Sequence, residues 1–241
     1  MPVHHQNRKN DIGAKLLFLN YPNNPTAAVA DISFFKELVR VSKKVKVPIC
    51  HDAAYSEISF GLFRAPSFLQ APGAKEVGIE FHSLSKTFNM TGWRLGWACG
   101  NAQMISALAK VKSNIDSGVF QAIQMAGIRA LQDSGSHLKR MTEIYETRRD
   151  ILVEALQKAG CFITYPKATF YLWAPIPKGK RSKDVAAQLL QKAGIVATPG
   201  IGFGDHGEGF IRFSLSVPTP RLIEAAKRIR RLSIWPAPSS V

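Results

Sequence analysis

The stretch Leu16-Leu17-Phe18-Leu19-Asn20-Tyr21-Pro22-Asn23-Asn24-Pro25-Thr26, followed through residues 31–46 to Val47-Pro48-Ile49-Cys50-His51-Asp52, carries the architecture in its changes of period. Residues 16–19 form a short apolar run cut off by a dense cluster of turn formers, the pattern of a buried strand feeding a loop. From Asp31, a residue type suited to capping a helix, apolar Phe34, Phe35, Leu38, Val41 and Val45 recur at helical spacing up to Lys46. Residues 47–50 are again mainly apolar and read as a second buried strand ending at His51-Asp52. Strand, helix, strand in this order makes a βαβ crossover, and so a parallel sheet with functional groups at the carboxyl ends of its strands. Asp52 stands at such an end.

Working outward, residues 78–82 read as a strand running into Ser83-Leu84-Ser85-Lys86, and residues 95–99 as another strand after the turn at Thr91-Gly92. Helical patterns follow at 102–112, 120–131 and 138–159, the last rich in paired charges. The remainder alternates again, with strands at 161–165 and 169–173, a helix at 183–193, short strands at Val196 and 210–215, and a final helix at 220–232. Residues 235–241 read as a loose tail. The fold class is therefore α/β: a three-layer, mainly parallel sheet and a smaller α/β unit at the C-terminal end.

Composition bounds the rest. The 241 residues are 46% hydrophobic and 20% charged, an ordinary globular chain. Apolar runs fall far short of the roughly 20 residues a membrane helix needs, and Met1-Pro2-Val3-His4-His5 opens no secretory signal, so we expect a cytoplasmic protein and no membrane partner. Cys50, Cys99 and Cys161 form no CxxC pair and no metal-ligand spacing, which suits buried thiols. The net charge of +15 is spread over both halves rather than gathered into a stripe. Its densest run, Lys227-Arg228-Ile229-Arg230-Arg231, fits the solvated face of an amphipathic helix, so nucleic acid is not expected as a partner.

Four polar residues stand at strand ends or in adjoining loops, and each has a plain reading by itself. Asn24 suits a turn, Asp52 a helix cap and Lys86 the surface; Arg212, inside Phe210-Ile211-Arg212-Phe213-Ser214, is the oddest, because an arginine in an apolar strand calls for an anionic partner. Together they match the needs of pyridoxal 5'-phosphate: a lysine for the aldehyde, a carboxylate for the pyridine nitrogen, donors for the phenolic oxygen, and hydroxyls with an arginine for the phosphate. Ser83 and Ser85 precede Lys86 on one turn, and Arg94 follows eight residues later across a glycine-containing loop.

Asn24-Pro25-Thr26, His51-Asp52-Ala53-Ala54-Tyr55 and Ser83-Leu84-Ser85-Lys86-Thr87-Phe88-Asn89-Met90-Thr91-Gly92-Trp93-Arg94-Leu95-Gly96 resemble the signatures of the fold-type I, class I/II aminotransferases. The resemblance runs from about Lys15 to Leu232. It implies that Lys86 binds the cofactor aldehyde and shuttles the proton, that Asp52 pairs with the pyridine nitrogen, and that Asn24 and Tyr55 bond the phenolic oxygen. It gives the phosphate to Ser83, Ser85 and Arg94, and the substrate carboxylate to Arg212 with Asn24. It implies a homodimer, amino acid and 2-oxo acid substrates, and a division into residues 1–135, part of a large cofactor-binding domain, and 136–241, an interdomain helix with a small domain. Residues 17–26, 112–118 and 168–175 look most similar to LL-diaminopimelate aminotransferases, which move an amino group from glutamate to tetrahydrodipicolinate in lysine biosynthesis. Phe170, Tyr171 and the 200–204 loop are candidates to line the substrate's distal end.

Three departures from the family pattern carry expectations of their own. Family members have a long segment before Asn-Pro-Thr where this chain has about two dozen residues, and losing the early strands would leave open sheet edges and exposed apolar faces. Ala27 and Ala168 stand where the family commonly has glycine, and alanine at a positive φ costs ~1 kcal/mol. Alternatives within and beyond the family are a pyridoxal phosphate-dependent C–S lyase and a non-catalytic binding or dimerisation module.

Overall fold

The computed structural model describes residues 13–132 and 134–235; residues 1–5 and the end of the tail, 236–241, lie outside them. The first sheet is built from β1 (Leu17–Asn20), β2 (Ile49–Asp52), β3 (Gly78–Ser83) and β4 (Gly96–Gly100), in that spatial order. β1, β2 and β3 are parallel and β4 returns antiparallel to β3. The crossover helix α1 (Ile32–Val45) starts where the sequence predicts, with the Asp31 carboxylate accepting from the Phe34 amide at 2.8 Å. Its Phe35 and Val39 pack with Ile49, Phe68, Ala71 and Ala74 against one face of the sheet. Ala74 opens a single helical turn, α2 (Ala74–Val77). Beyond β3 the chain makes the one-turn helix α3 (Leu84–Thr87), then after β4 the helices α4 (Ala102–Lys112), α5 (Gln121–Gln132) and the 25-residue α6 (Ser134–Lys158).

The second sheet is antiparallel, with β7 (Phe210–Ser214) between β5 (Tyr171–Pro175) and the two-residue β6 (Thr198–Pro199). It packs with α6, α7 (Ser182–Ala193) and α8 (Thr219–Arg230) around Leu152, Leu156, Leu172, Leu189, Ile211 and Ile229. The α8 basic run faces solvent while Ile229 is buried, as its period predicts. All three cysteines are free. Among the described residues no helix is long and apolar enough to cross a membrane.

Several expected elements differ. Residues 161–165 are not a strand: Cys161 and Ile163 are buried and Phe162 is exposed, the right alternation, but the Ile163 carbonyl accepts from the Gln157 side chain at 2.8 Å and the Cys161 amide donates to Leu156, so no ladder forms. The short strand lies at Thr198–Pro199 rather than at Val196, which is exposed. Trp235 is no part of a loose tail; it is buried and donates to the Pro175 carbonyl at 2.9 Å. Ala27 does take a left-handed conformation, φ 57°, whereas at the second departure the left-handed residue is Thr169, φ 69°, and not Ala168.

Candidate active site

Asp52 is the last residue of β2, paired in register with Asn20 of β1 and Phe81 of β3. Its carboxylate accepts from the Ala54 amide at 3.0 Å, which turns the chain out of the sheet toward Tyr55. Asn20, the last residue of β1, organises the neighbouring loop. Its amide donates to the Asp52 carbonyl at 2.9 Å and its carbonyl oxygen accepts from the Asn24 backbone at 2.8 Å. Asn23 Oδ1 accepts from both the amide and the hydroxyl of Thr26. The Asn24 loop is thus tied to the same strand end that holds Asp52.

From that loop the Asn24 amide nitrogen donates to the Tyr55 hydroxyl at 3.3 Å, and its carbonyl oxygen accepts from Arg212 Nη1 at 2.7 Å. Burial, with Tyr171 beside it, pushes the Tyr55 phenol well above the ordinary tyrosine range, so the phenol keeps its proton and can donate it. Lys86 Nζ lies 5.9 Å from the centre of the Tyr55 ring, and among the described residues it makes no hydrogen bond or ion pair. Asn24, Asp52, Tyr55, Lys86 and Arg212, scattered over 189 residues of sequence, are brought together around the carboxyl ends of β1 and β2.

Arg212 is held by uncharged neighbours. Its charge meets no carboxylate among the described residues; instead the guanidinium lies 4.3 Å from the Tyr171 ring centre and 4.7 Å from that of Phe203, with Nη2 3.4 Å from Thr198. Its Nε is buried and unpartnered. A cation held by two aromatic faces and left with an unspent donor is suited to a planar anion. Tyr171 and the 200–204 loop therefore do reach the site, through Arg212, and Phe170 packs on Tyr55 with ring centres 5.5 Å apart.

The phosphate candidates sit on one turn. Ser83 Oγ caps α3 by accepting from the Ser85 amide at 3.2 Å, the Ser85 carbonyl accepts from the Thr91 hydroxyl at 3.0 Å, and Arg94 Nη1 donates to the Thr91 carbonyl at 3.0 Å. Ser85 is buried, Ser83 half-buried and Arg94 exposed, so this end is open on the Arg94 side. The residue set fits pyridoxal phosphate: a free lysine, a carboxylate at a strand end, a protonated phenol, a hydroxyl-rich turn with an arginine, and an orphaned guanidinium donor. A cleft of about 440 Å³ begins at Thr26 and Ala27 and runs between Tyr165 and Trp173, and a larger one, about 600 Å³, lies between Glu57 and Thr142; neither is lined by Asn24, Asp52, Tyr55, Lys86, Arg94 or Arg212.

Sequence reading missed Asn20 and Thr198, which act on the site through Asn24 and Arg212. Asn20 sits four residues before Asn24, the spacing at which a side chain can cap the turn; Thr198 carries no such local signal.

The sequence matches the family described as aminotransferase class I and II over residues 4–229. It is 57% identical over 219 residues to the LL-diaminopimelate aminotransferase of Moorella thermoacetica, an alignment covering 91% of this chain and 56% of that protein. An aminotransferase from Staphylococcus aureus superposes with a TM-score of 0.91 at 35% identity, covering 96% of this chain and 62% of that one. For the L,L-diaminopimelate aminotransferase of Chlamydomonas reinhardtii the TM-score is 0.82 at 31% identity, over 90% and 55%. The chain spans a little over half the length of the curated relatives it matches. With its sequence, its fold and its motif residues all converging, the chain belongs to the aminotransferase class I and II family.

Proposed function

We propose that this chain carries the lysine, aspartate and arginine of a pyridoxal phosphate-dependent transamination site, moving an amino group from glutamate to a 2-oxo acid. The relatives' names point to LL-diaminopimelate as the amino acid handled, and the reading takes tetrahydrodipicolinate as its acceptor counterpart in lysine biosynthesis. Bound there, the cofactor would supply an electron sink for negative charge at the substrate's alpha carbon. Lys86 Nζ would hold the cofactor aldehyde, and when free of it would carry the proton to and from the substrate's alpha carbon. The Asp52 carboxylate keeps a proton on the pyridine nitrogen, while Tyr55 and Asn24 donate to the phenolic oxygen. Ser83, Ser85 and Arg94 hold the phosphate. The substrate's alpha-carboxylate lies against Arg212, whose Nε and Nη form the fork, with Asn24 fixing the guanidinium plane. The reading includes a homodimer, a cytoplasmic location, and a division near residue 135 between a cofactor-binding unit and a smaller one.

One observation carries this: Arg212, with its unpartnered Nε, is bonded to the Asn24 that also bonds Tyr55, so an anion site and the cofactor-ring donors share one side chain. The test is visible absorbance of the chain after incubation with pyridoxal 5'-phosphate and desalting. Wild type is expected to keep a band that moves on adding glutamate, and Lys86→Ala to lose it. A band that does not survive desalting, or one unchanged in Lys86→Ala, would overturn the proposal.

A further inference from the structure

Behind Asp52, on the opposite face of β2, lies a buried charged cluster that the site chemistry does not use. Successive strand residues face opposite sides, so His51 points away from Asp52 and shares its face with Glu80, its register partner on β3. His51 is 0% and Glu80 1% exposed. The Glu80 carboxylate collects four donors: His51 Nδ1 at 2.9 Å, the Phe68 amide at 2.7 Å, the Ser67 hydroxyl at 2.8 Å and His82 Nε2 at 2.7 Å. Burial alone would raise this carboxyl, but the hydrogen bonds from His51, His82 and Ser67 outweigh it and hold the group well below the ordinary carboxylate range. A carboxylate surrounded by donors is ionised and can only accept.

The other ring nitrogen of His51, Nε2, lies 3.0 Å from the Tyr21 carbonyl oxygen. A carbonyl also only accepts. With an acceptor at each nitrogen, both contacts are hydrogen bonds only when each nitrogen carries a proton. The groups around the ring are Glu80 and, beyond Glu80, His82 from β3, with the rings of Phe35 from α1 at 5.0 Å and of Phe68 at 6.3 Å. His82 in turn stacks on Trp97 of β4, with centres 5.0 Å apart.

Tyr21 opens the loop that carries Asn24. We propose that His51 is a positioning residue: its doubly protonated ring, anchored on Glu80, pins the Tyr21 carbonyl and so sets the Asn24 loop against the strand end that holds Asp52. Asn20 ties the loop from the Asp52 side of the strand ends and His51 from the other, so the loop is clamped from both faces of the sheet. For its catalytic meaning the inference rests on the transaminase reading above, since Asn24 matters there through Tyr55 and Arg212. The clamp itself needs no cofactor.

The first measurement is therefore made on the unmodified chain without cofactor: multiple-bond proton–nitrogen spectra of 15N-labelled protein at pH 7.5, with His51 assigned sequentially. Two protonated ring nitrogens are expected; a bare nitrogen on His51 overturns the proposal. The second is hydrogen exchange on His51→Gln, whose single amide nitrogen cannot span both acceptors. Amides of residues 23–28 should exchange at least ~10-fold faster while those of α6 and β5 stay as in wild type; unchanged exchange in 23–28 overturns it. If His51→Gln does not fold, the wild-type proton count still decides. A third readout is the pH midpoint of the visible band of bound pyridoxal phosphate, which should shift in His51→Gln; an unmoved midpoint removes the link from clamp to site. A chain that binds no cofactor would defeat the transaminase reading alone, leaving the first two results to stand or fall independently.

Discussion

Leu172 and Ile211 on the second sheet are fully buried between α6, α7 and α8, with eighteen buried side chains in one continuous cluster. On the first sheet one face is covered by α1 and the residues around Phe68, but on the other Phe18 is 63% exposed with Phe81 stacked on it at 6.3 Å. Nearby, α4 buries no residue and α5 only Gly127, although Leu108, Val111, Met125 and Ile128 are exposed on them. Apolar side chains that gain nothing from the fold contribute nothing to its stability. Most of the stability of this chain therefore resides in the half that supplies Arg212, while Asp52, Asn24 and Lys86 stand on the half with the open face.

The comparison is broken or upheld most sharply by truncation on each side. Leu172→Ala should cost about 2–5 kcal/mol in urea unfolding, the range for a cavity in a closed core. Phe18→Ala should cost less than about 1 kcal/mol and should reduce self-association in light scattering, because it removes apolar surface that is already exposed. Equal losses would mean that the open face is covered in solution.

Acid separates the halves next. Glu80 belongs to the first sheet, and its folded carboxyl is held below the unfolded value, so its contribution is whole above about pH 5 and is lost as pH falls through and below the ordinary carboxyl range. Stability measured by urea unfolding should fall from pH 6 to pH 3, and Glu80→Gln should flatten that fall while lowering the plateau at neutral pH. A slope unchanged in Glu80→Gln would place the acid sensitivity elsewhere.

The sequence was informative where the signal was local. The βαβ crossover showed in its periods, the Asp31 cap in its residue type, and Lys86 and Asp52 in motifs a few residues long. What escaped was made by register between distant segments. Glu80 is an ionisable residue in an apolar strand, the same oddity that drew attention to Arg212, but its partners His51 and Ser67 lie 29 and 13 residues away and meet it only when β2, β3 and the turn at Ser67 are assembled. Arg212 suggested an anion, but its partners within the chain, Asn24 and two rings, were not legible, because cation–π contacts leave no charge pattern to read. Residues 161–165 have the alternation of a strand, but the Cys161 amide and the Ile163 carbonyl are bonded to the end of α6, an outcome that alternation alone does not distinguish from a ladder.

The two alanines that replace the family's usual glycines make the finest test, because the structure gives them opposite signs. Ala27 holds φ 57° in a turn closed at both ends, its own amide donating to the Asn23 carbonyl and the Asn23 amide to the Ala28 carbonyl, each at 2.9 Å. An L-residue there carries ~1–2 kcal/mol of strain, and glycine would relieve it while adding back about 0.5–1 kcal/mol of unfolded-chain entropy. Ala27→Gly should therefore stabilise by roughly 0.5 kcal/mol. Ala168 is fully buried, bridged to Ser59, and free of the left-handed conformation, which falls on Thr169 instead. There glycine relieves nothing, loses a packed methyl and loosens the unfolded chain, so Ala168→Gly should destabilise by about 1 kcal/mol. Parallel urea titrations of both variants read the difference directly; two changes of the same sign would mean that the backbone at Ala27 relaxes when its side chain is removed, and that strain is not what distinguishes the two positions.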